Sequence, residues 1–494
     1  MFKIKNLIYS IGLASLMAFS SCADFLEVGP TNALPGKTAV TNVDEARSAL
    51  NGVYTKLMDR YYYGTDMITY GDVRGDDQGT TKSGDRTQSM YTYGHLTALT
   101  STNGGYFWET IYSGLSRAND LITKIEAGDI KIASTEEQIE LDNIYGQVLT
   151  LRALMHFDLV RIYGEPYLKD ETAPGIIIAD HIITKDEKLP RKSVKDTYNF
   201  IVDDLRKATG KDGGPVYLSK EIDVVYKQAN FSYYGAEALL SKIYLYMGKW
   251  SESYEAAKSV ITNGPYSLIS GVDYVASWSS EFTTESIFEV WSSSTENANR
   301  EGIGSVTAPN MYAAVSATPQ FITLMKEDMD DVRLGVMKKN SQNEEYAYVA
   351  KYPGRGGDIY VNNTRVLRLS EIYLIAAEAG VLAGKSDAST YLNDIRKRAN
   401  PSAANVTATV DLVMKERRKE LVGEGHRYFD IIRNLGTRTV SRLGTSSYPI
   451  AADYMVKELS WNDEDYSYLL ILPIPQSEIE VNKDIKQNAG YPIN

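Results

Sequence analysis

The sequence is short of the residues that carry most metal and nucleophile chemistry. It holds one cysteine, Cys22, and four histidines (His95, His156, His181, His426) in 494 residues. A lone cysteine cannot form an internal disulfide, which excludes a disulfide-stapled scaffold. The histidines lie far apart and no His-Glu-x-x-His occurs, so the spacing of a zinc hydrolase is missing. Gly354-Arg355-Gly356-Gly357-Asp358 is glycine-rich but lacks the Lys and Ser/Thr that complete a phosphate loop, and there is no Gly-x-Ser-x-Gly elbow. Neither a cofactor nor a metal is expected. Positive charge is in deficit: 52 Lys and Arg stand against 64 Asp and Glu, a formal net charge of −12. That excludes nucleic acid, and peripheral docking on anionic lipid, as natural partners. After residue 22 no apolar run approaches the roughly 18 residues that span a bilayer as a helix.

What is present begins with the N-terminus. Lys3 and Lys5 precede a short apolar run from Leu7 to Phe19, followed by Ser20, Ser21 and Cys22. Charge, short apolar core, small residues and cysteine make a secretory signal over 1–21, and a cysteine at the cleavage point is an acceptor for a diacylglyceryl anchor. Membrane attachment is therefore expected through Cys22 alone, with a soluble body beyond it. Residues 22–42 read as an extended leader. Tyrosine is in excess, 36 against 11 Phe and 5 Trp. A ring with a hydroxyl suits helix edges and polar, ring-friendly ligands.

Helical periodicity dominates the remainder. Ala46, Leu50, Val53, Tyr54 and Leu57 recur at three- and four-residue spacing. Gly64–Gly105 is rich in Gly, Asp, Thr and Tyr and reads as a long loop of functional type. Its acids Asp72, Asp76 and Asp77 could ligate Ca²⁺, but the spacing is not that of an EF-hand, and solvated turn residues are the preferred reading. Helices are predicted over Tyr106–Ile125, Glu136–Tyr163 and Thr197–Ala208. Two more, Asn230–Gly248 and Ser251–Ile261, are joined by a tight turn with small residues at the contact, as in a tetratricopeptide unit. A Ser/Gly/Asn/Tyr-rich insertion follows over Asn263–Asn363, with one alternating strand at Glu285–Trp291. A second helix pair is predicted over Arg365–Gly384 and Asp387–Arg398. In Val410–Arg433, Glu416, Glu420 and Glu424 fall four apart among Arg417, Arg418 and Lys419. With His426 and Asp430 nearby an acid–base site is conceivable, but mixed charge at helical spacing favours an ion-pair lattice between helices.

Several stretches together resemble the SusD/RagB family of outer-membrane nutrient-binding lipoproteins. They are Cys22-Ala23-Asp24-Phe25-Leu26-Glu27 with Pro30, the helix Leu151–Gly164, and Leu367–Ala379. To these add Glu416-Arg417-Arg418 through Glu424-Gly425-His426-Arg427-Tyr428-Phe429-Asp430, and the closing Leu470–Ile479 with Asn482, Gln487-Asn488 and Tyr491. The resemblance implies a mainly α fold, a tetratricopeptide-like scaffold with long irregular loops and a little β. One SusD-like domain would cover 43–494: scaffold at about 43–262 and 364–435, ligand insertion at about 263–363, and a C-terminal segment at 436–494. It also implies a non-enzymatic protein on the outer face of the outer membrane. Such a protein captures an oligosaccharide and hands it to a TonB-dependent SusC-type transporter. Peptide capture, as in RagB-type relatives, is the alternative within the binding class. A cell-surface glycan hydrolase is the alternative outside it, since a glycosidase needs only two carboxylates across a cleft.

In the resemblance the ligand meets aromatics from the first loop and from the insertion. The residues here that suit a sugar, with its flat C–H faces and hydroxyl rim, are Asp77, Arg86, Tyr91 and Tyr93 from the loop, and Trp278, Trp291 and Tyr312 from the insertion.

Overall fold

The computed structural model describes residues 40–81, 85–93, 104–339, 346–435 and 459–491. Cys22, the signal and nearly all of the 22–42 leader lie outside the described residues, as do residues 436–458 and 492–494 of the C-terminal segment.

Helix α1 (Val43–Leu57) starts where the Asn42 side chain accepts the Glu45 N–H, and it buries Val43, Ala46, Leu50, Val53 and Leu57 along one stripe. Then come α2 (Asp66–Val73), strand β1 (Gln78–Thr80) and α3 (Asp85–Thr92). The stretch read as one loop thus contains two helices and a strand. Every residue of α2 is buried, Asp66, Thr69 and Asp72 included, so it has no exposed face and no apolar/polar division to read. Helix α4 (Gly104–Ala127) packs on α1 and on α5 (Thr135–Tyr163). Ser134 caps α5, and from Ile144 to Tyr163 every residue of it is buried. Helix α6 (Val194–Ala208) packs on α5 and on α7 (Tyr233–Tyr246), and α7 packs on α8 (Trp250–Asn263). Gly248 turns the chain between the last two at φ +71°, a conformation open to glycine.

Strand β2 (Ser286–Val290) begins the insertion, which continues through α9 (Ile303–Thr307), β3 (Val315–Ala317), α10 (Pro319–Met325), β4 (Met337–Lys339) and β5 (Tyr346–Val349). Strand β6 (Thr364–Arg368) closes it by pairing antiparallel with β2. The expected helix from Arg365 therefore begins late. Residues 364–368 are strand, buried on both faces, and α11 (Leu369–Leu382) starts only after the Leu369 N–H is taken by the Glu285 carbonyl. Helix α11 packs back on α8, and α12 (Ala388–Ala399) packs on α11, so the helical stack resumes across the insertion.

Helices α13 (Val410–Leu421), α14 (Arg427–Arg433) and α15 (Gln476–Val481) complete the described chain. Glu424 is not on the helix face with Glu416 and Glu420, because α13 ends at Leu421. The turn that follows holds Gly425 at φ +77° hard against Gly71 of α2, where a Cβ on Gly71 would sit 2.0 Å from the Gly425 carbonyl oxygen. The C-terminal segment is tied to α5: the Leu472 N–H donates to the Ile162 carbonyl, and Asn488 Nδ2 to that of Tyr163.

Candidate functional site

The first loop and the insertion meet through a two-stranded antiparallel pairing. Gln78, Gly79 and Thr80 of β1 lie opposite Ala317, Ser316 and Val315 of β3. This contact brings Arg86 of α3 to Tyr312, which precedes β3. The Arg86 guanidinium carbon lies 3.7 Å from the centre of the Tyr312 ring. The same guanidinium donates Nε and Nη2 to the two oxygens of Glu301, at 3.0 and 2.7 Å. Arg60 reaches Glu301 from the other side, Nη1 to Oε2 at 2.6 Å, and the Thr65 hydroxyl donates to the Glu301 carbonyl. The Arg86 hydrogen bond, with Arg60 adding charge, holds the Glu301 carboxyl below its usual range. It is ionised at neutral pH and has no proton to donate. Arg60 also covers the Tyr61 ring at 4.6 Å, and Tyr61 stacks on Tyr106 with centroids 4.1 Å apart and planes 19° apart. The side chains of Arg60, Tyr61, Arg86, Tyr106, Glu301 and Tyr312 are half-buried, and that of Thr65 is buried.

Among the residues singled out from sequence, Arg86 and Tyr312 are the two brought together. The others are placed differently. Asp77 is buried and bonded to Arg418 Nε at 2.8 Å, and its neighbour Asp76 pairs with Arg427. Asp72 and Asp77 are thus buried, and Asp76 is half-buried and ion-paired, rather than solvated turn residues. Burial would push Asp76 up, but Arg427 and Arg418 outweigh it and hold the carboxyl below its ordinary value. Tyr91 is buried with its ring against Gly79, where a Cβ would come within 2.9 Å of it. Tyr93 is buried and donates its hydroxyl to the Arg74 carbonyl at 2.7 Å, and its ring faces the fully buried Arg74 guanidinium at 4.0 Å. Trp278 is buried among cations, with Arg365 at 4.2 Å and Lys351 at 4.6 Å from its ring. Trp291 is 42% exposed at the end of β2, its indole N–H donating to Glu281.

Arg60, Tyr61, Tyr106 and Glu301 were missed. The run Tyr61-Tyr62-Tyr63, shortly after α1, was the available signal, an unusual cluster of rings; Tyr62 and Tyr63 are buried and Tyr61 is half-buried.

Trp291 belongs to a separate cavity of about 580 Å³, lined also by Tyr226, Asn230, Arg117, Lys56 and Asp59. That volume lies within the range of small-molecule sites.

The acid–base reading of the signature segment meets a closed ion-pair network instead. Glu420 receives Arg368, Arg398 and Arg333 at 2.7, 2.6 and 3.0 Å, and Glu424 receives Arg368 and Lys351 at 2.6 and 2.7 Å. Burial alone would raise Glu420, but the three arginines hold it well below the carboxylate range. His426 is buried beside Lys242 and Arg417, and is driven well below the usual imidazole value. The lattice is internal, welding α13 to β6, α12 and the insertion. Glu420 and Glu424, both held below their ordinary range by these cations, have no proton to exchange at neutral pH.

Residues 285–491 match the SusD family, and residues 24–245 match a family described as starch-binding and associating with the outer membrane. A solved SusD superfamily protein from Bacteroides vulgatus is 32% identical, with a TM-score of 0.82 over 92% of this chain and 100% of that one. A SusD-like protein of Formosa agariphila is 24% identical, the match spanning 96% of this chain and 98% of that protein. The starch-binding protein SusD of Bacteroides thetaiotaomicron is 32% identical over 132 residues, 26% of this chain and 21% of that one.

Proposed function

Because this chain belongs to the SusD family, we propose that it binds an oligosaccharide at the outer face of the outer membrane, without catalysis, and delivers it to a TonB-dependent SusC-type transporter. The observation that carries the binding reading is the Arg86–Tyr312–Glu301 arrangement. Two segments far apart in sequence are pinned so that a ring face, a guanidinium edge and an ionised carboxylate share one half-exposed surface. A sugar stacks its C–H face on a tyrosine ring and exchanges hydroxyl hydrogen bonds with Arg and Glu. The stacked Tyr61–Tyr106 pair extends the surface. Two further facts support the reading: the starch-binding description of the family matched by 24–245, and the name of the Bacteroides thetaiotaomicron relative.

Glu301, ionised at neutral pH, would not itself serve as the protonated carboxyl that glycoside cleavage requires beside the scissile oxygen. Anchoring through a lipid on Cys22 and handover to the transporter complete the proposal. Calorimetry with starch, laminarin and xylan oligosaccharides tests it. Tyr312→Ala should weaken binding about tenfold, the worth of one aromatic contact, with helical circular dichroism unchanged. Undiminished affinity in both Tyr312→Ala and Arg86→Ala would place the ligand elsewhere. Release of reducing ends in repeated turnovers would remove the non-catalytic reading.

A further inference from the structure

The buried ring of Trp278 stands at the edge of a small space. Trp278, on the short turn Ala276–Ser279, shares with Arg365 of β6 and with Lys351, Arg355, Asn362 and Asn363 a cavity of about 10 Å³. That is room for one guest the size of a water molecule, and far less than a sugar ring needs. Trp278 is 7% exposed, and its Nε1 has no hydrogen-bond partner. An indole N–H can only donate, so a buried one left unpaired costs free energy unless something in the cavity accepts from it.

The other side chains on the wall are rich in donors as well. Lys351 gives two hydrogens, to the Glu420 carbonyl and to Glu424, both at 2.7 Å, and an ammonium carries a third. Arg355 and Arg365 add two guanidinium groups, and among the described residues no acid lines the cavity. The carboxylates that pair with these three cations, Glu424, Glu281 and Glu289, all stand off the wall. The amide oxygens are engaged. Asn362 Oδ1 accepts the Gly354 N–H, and Asn363 Oδ1 accepts the Ser292 N–H and Arg355 Nη1. A water in this space would accept from Trp278, but its own two hydrogens would find few side-chain oxygens to receive them. A halide ion accepts from every donor at once and has nothing to donate.

We propose that this cavity binds a single chloride ion, which accepts from Trp278 Nε1 and Lys351 Nζ and lies against the guanidinium edges of Arg355 and Arg365. The ion ties together three separate stretches of the chain: the turn at 276–279, the segment 351–355 after β5, and strand β6. It also offsets part of the positive charge that Lys351, Arg365 and Arg368 gather about the Trp278 ring. The site is independent of the carbohydrate reading. It serves the fold of the insertion, not contact with a sugar.

Thermal unfolding of the full-length protein freed of lipid tests this at constant ionic strength, with sodium chloride exchanged for sodium gluconate, whose anion cannot enter so small a space. The midpoint should rise with chloride, by about 1.5 °C for each tenfold increase above half-saturation. Bromide should substitute, and the larger iodide should not. Crystals grown in bromide should show its anomalous signal beside Trp278 Nε1. Trp278→Phe keeps a ring among the cations but removes the donor, and should flatten the chloride dependence with circular dichroism unchanged. If that variant fails to fold, the anomalous signal decides alone. A midpoint indifferent to chloride overturns the site, as does a bromide-grown crystal with only a water at this position. A chloride dependence that Trp278→Phe leaves intact also overturns it, because the ion then binds elsewhere.

Discussion

Asp66 sits at the start of α2 behind the Arg60–Glu301 contact, 5% exposed and with Oδ2 unpaired. Burial pushes its carboxyl up to about 7, against some help from Arg60. The folded state therefore holds this proton more tightly than the unfolded chain does. The stability the proton confers is full below about pH 4, and is lost as the pH rises through 7. A shift of that size corresponds to on the order of 4 kcal/mol between the two limits. Asp66→Asn should remove this part of the pH slope, so that urea unfolding at pH 8 shows a variant more stable than the wild type while at pH 4 the two converge. His156 has the opposite sign. Burial drives it down to about 3, and it is held neutral, with Nε2 accepting the Ala179 N–H. Its contribution is present above pH 6.5 and is lost as the pH falls toward 3. Neither position could be singled out from its letter. Tyr93 and Tyr312 make the same point for the proposed ligand surface. Both follow polar stretches in the sequence, and what separates them is Arg74, whose guanidinium is enclosed by Tyr70, Tyr93 and Tyr428.

Helix α13 and strand β6 are held together by charge that the core surrounds. Glu420 is fully buried and bonds three arginines from three different elements. Removing one partner from such a network leaves uncompensated charge out of water and costs about 3–5 kcal/mol. Glu420→Ala should lower stability by that amount in thermal or urea unfolding. Substituting the exposed Lys385–Glu255 pair should move it by less than about 1 kcal/mol. The amphipathic helices were legible in the sequence because each keeps a polar face: α1, α4, α6 and α8 lie within a few residues of their predicted limits. Elements buried on every side were not. Helix α2 read as loop and β6 read as helix, since both are buried throughout, polar residues included, and no exposed face sets a period. Glu424 joined the right cluster by a different route, a glycine turn rather than another helical step.

For the molecule as a whole, the tetratricopeptide-like pairing of helices was readable from small residues and tight turns, and α7–α8 and α11–α12 stack on one another through the α8–α11 contact. No helix among the described residues is long and apolar enough to cross a membrane. Attachment through Cys22, which lies outside the described residues, is accordingly the expectation to test. Cys22→Ala should abolish incorporation of labelled fatty acid and shift the protein from the membrane to the soluble fraction or leave it unprocessed. Lipid label on the variant would refute this.

The pairing of β1 with β3 sets the order in which these parts can come into being. Arg86 must wait for Glu301, 215 positions later, and Thr81 for Ala313, 232 later. Helices α4 to α8 close on near neighbours and can settle early, whereas contacts of such long range form late. A nascent chain still emerging has helices but no finished Arg86–Tyr312 surface. If the signal at 1–21 directs export as the chain is made, and if the proposed sugar surface is this one, sugars in the compartment of synthesis meet a protein that cannot yet hold them, and the surface matures only where the whole chain has arrived.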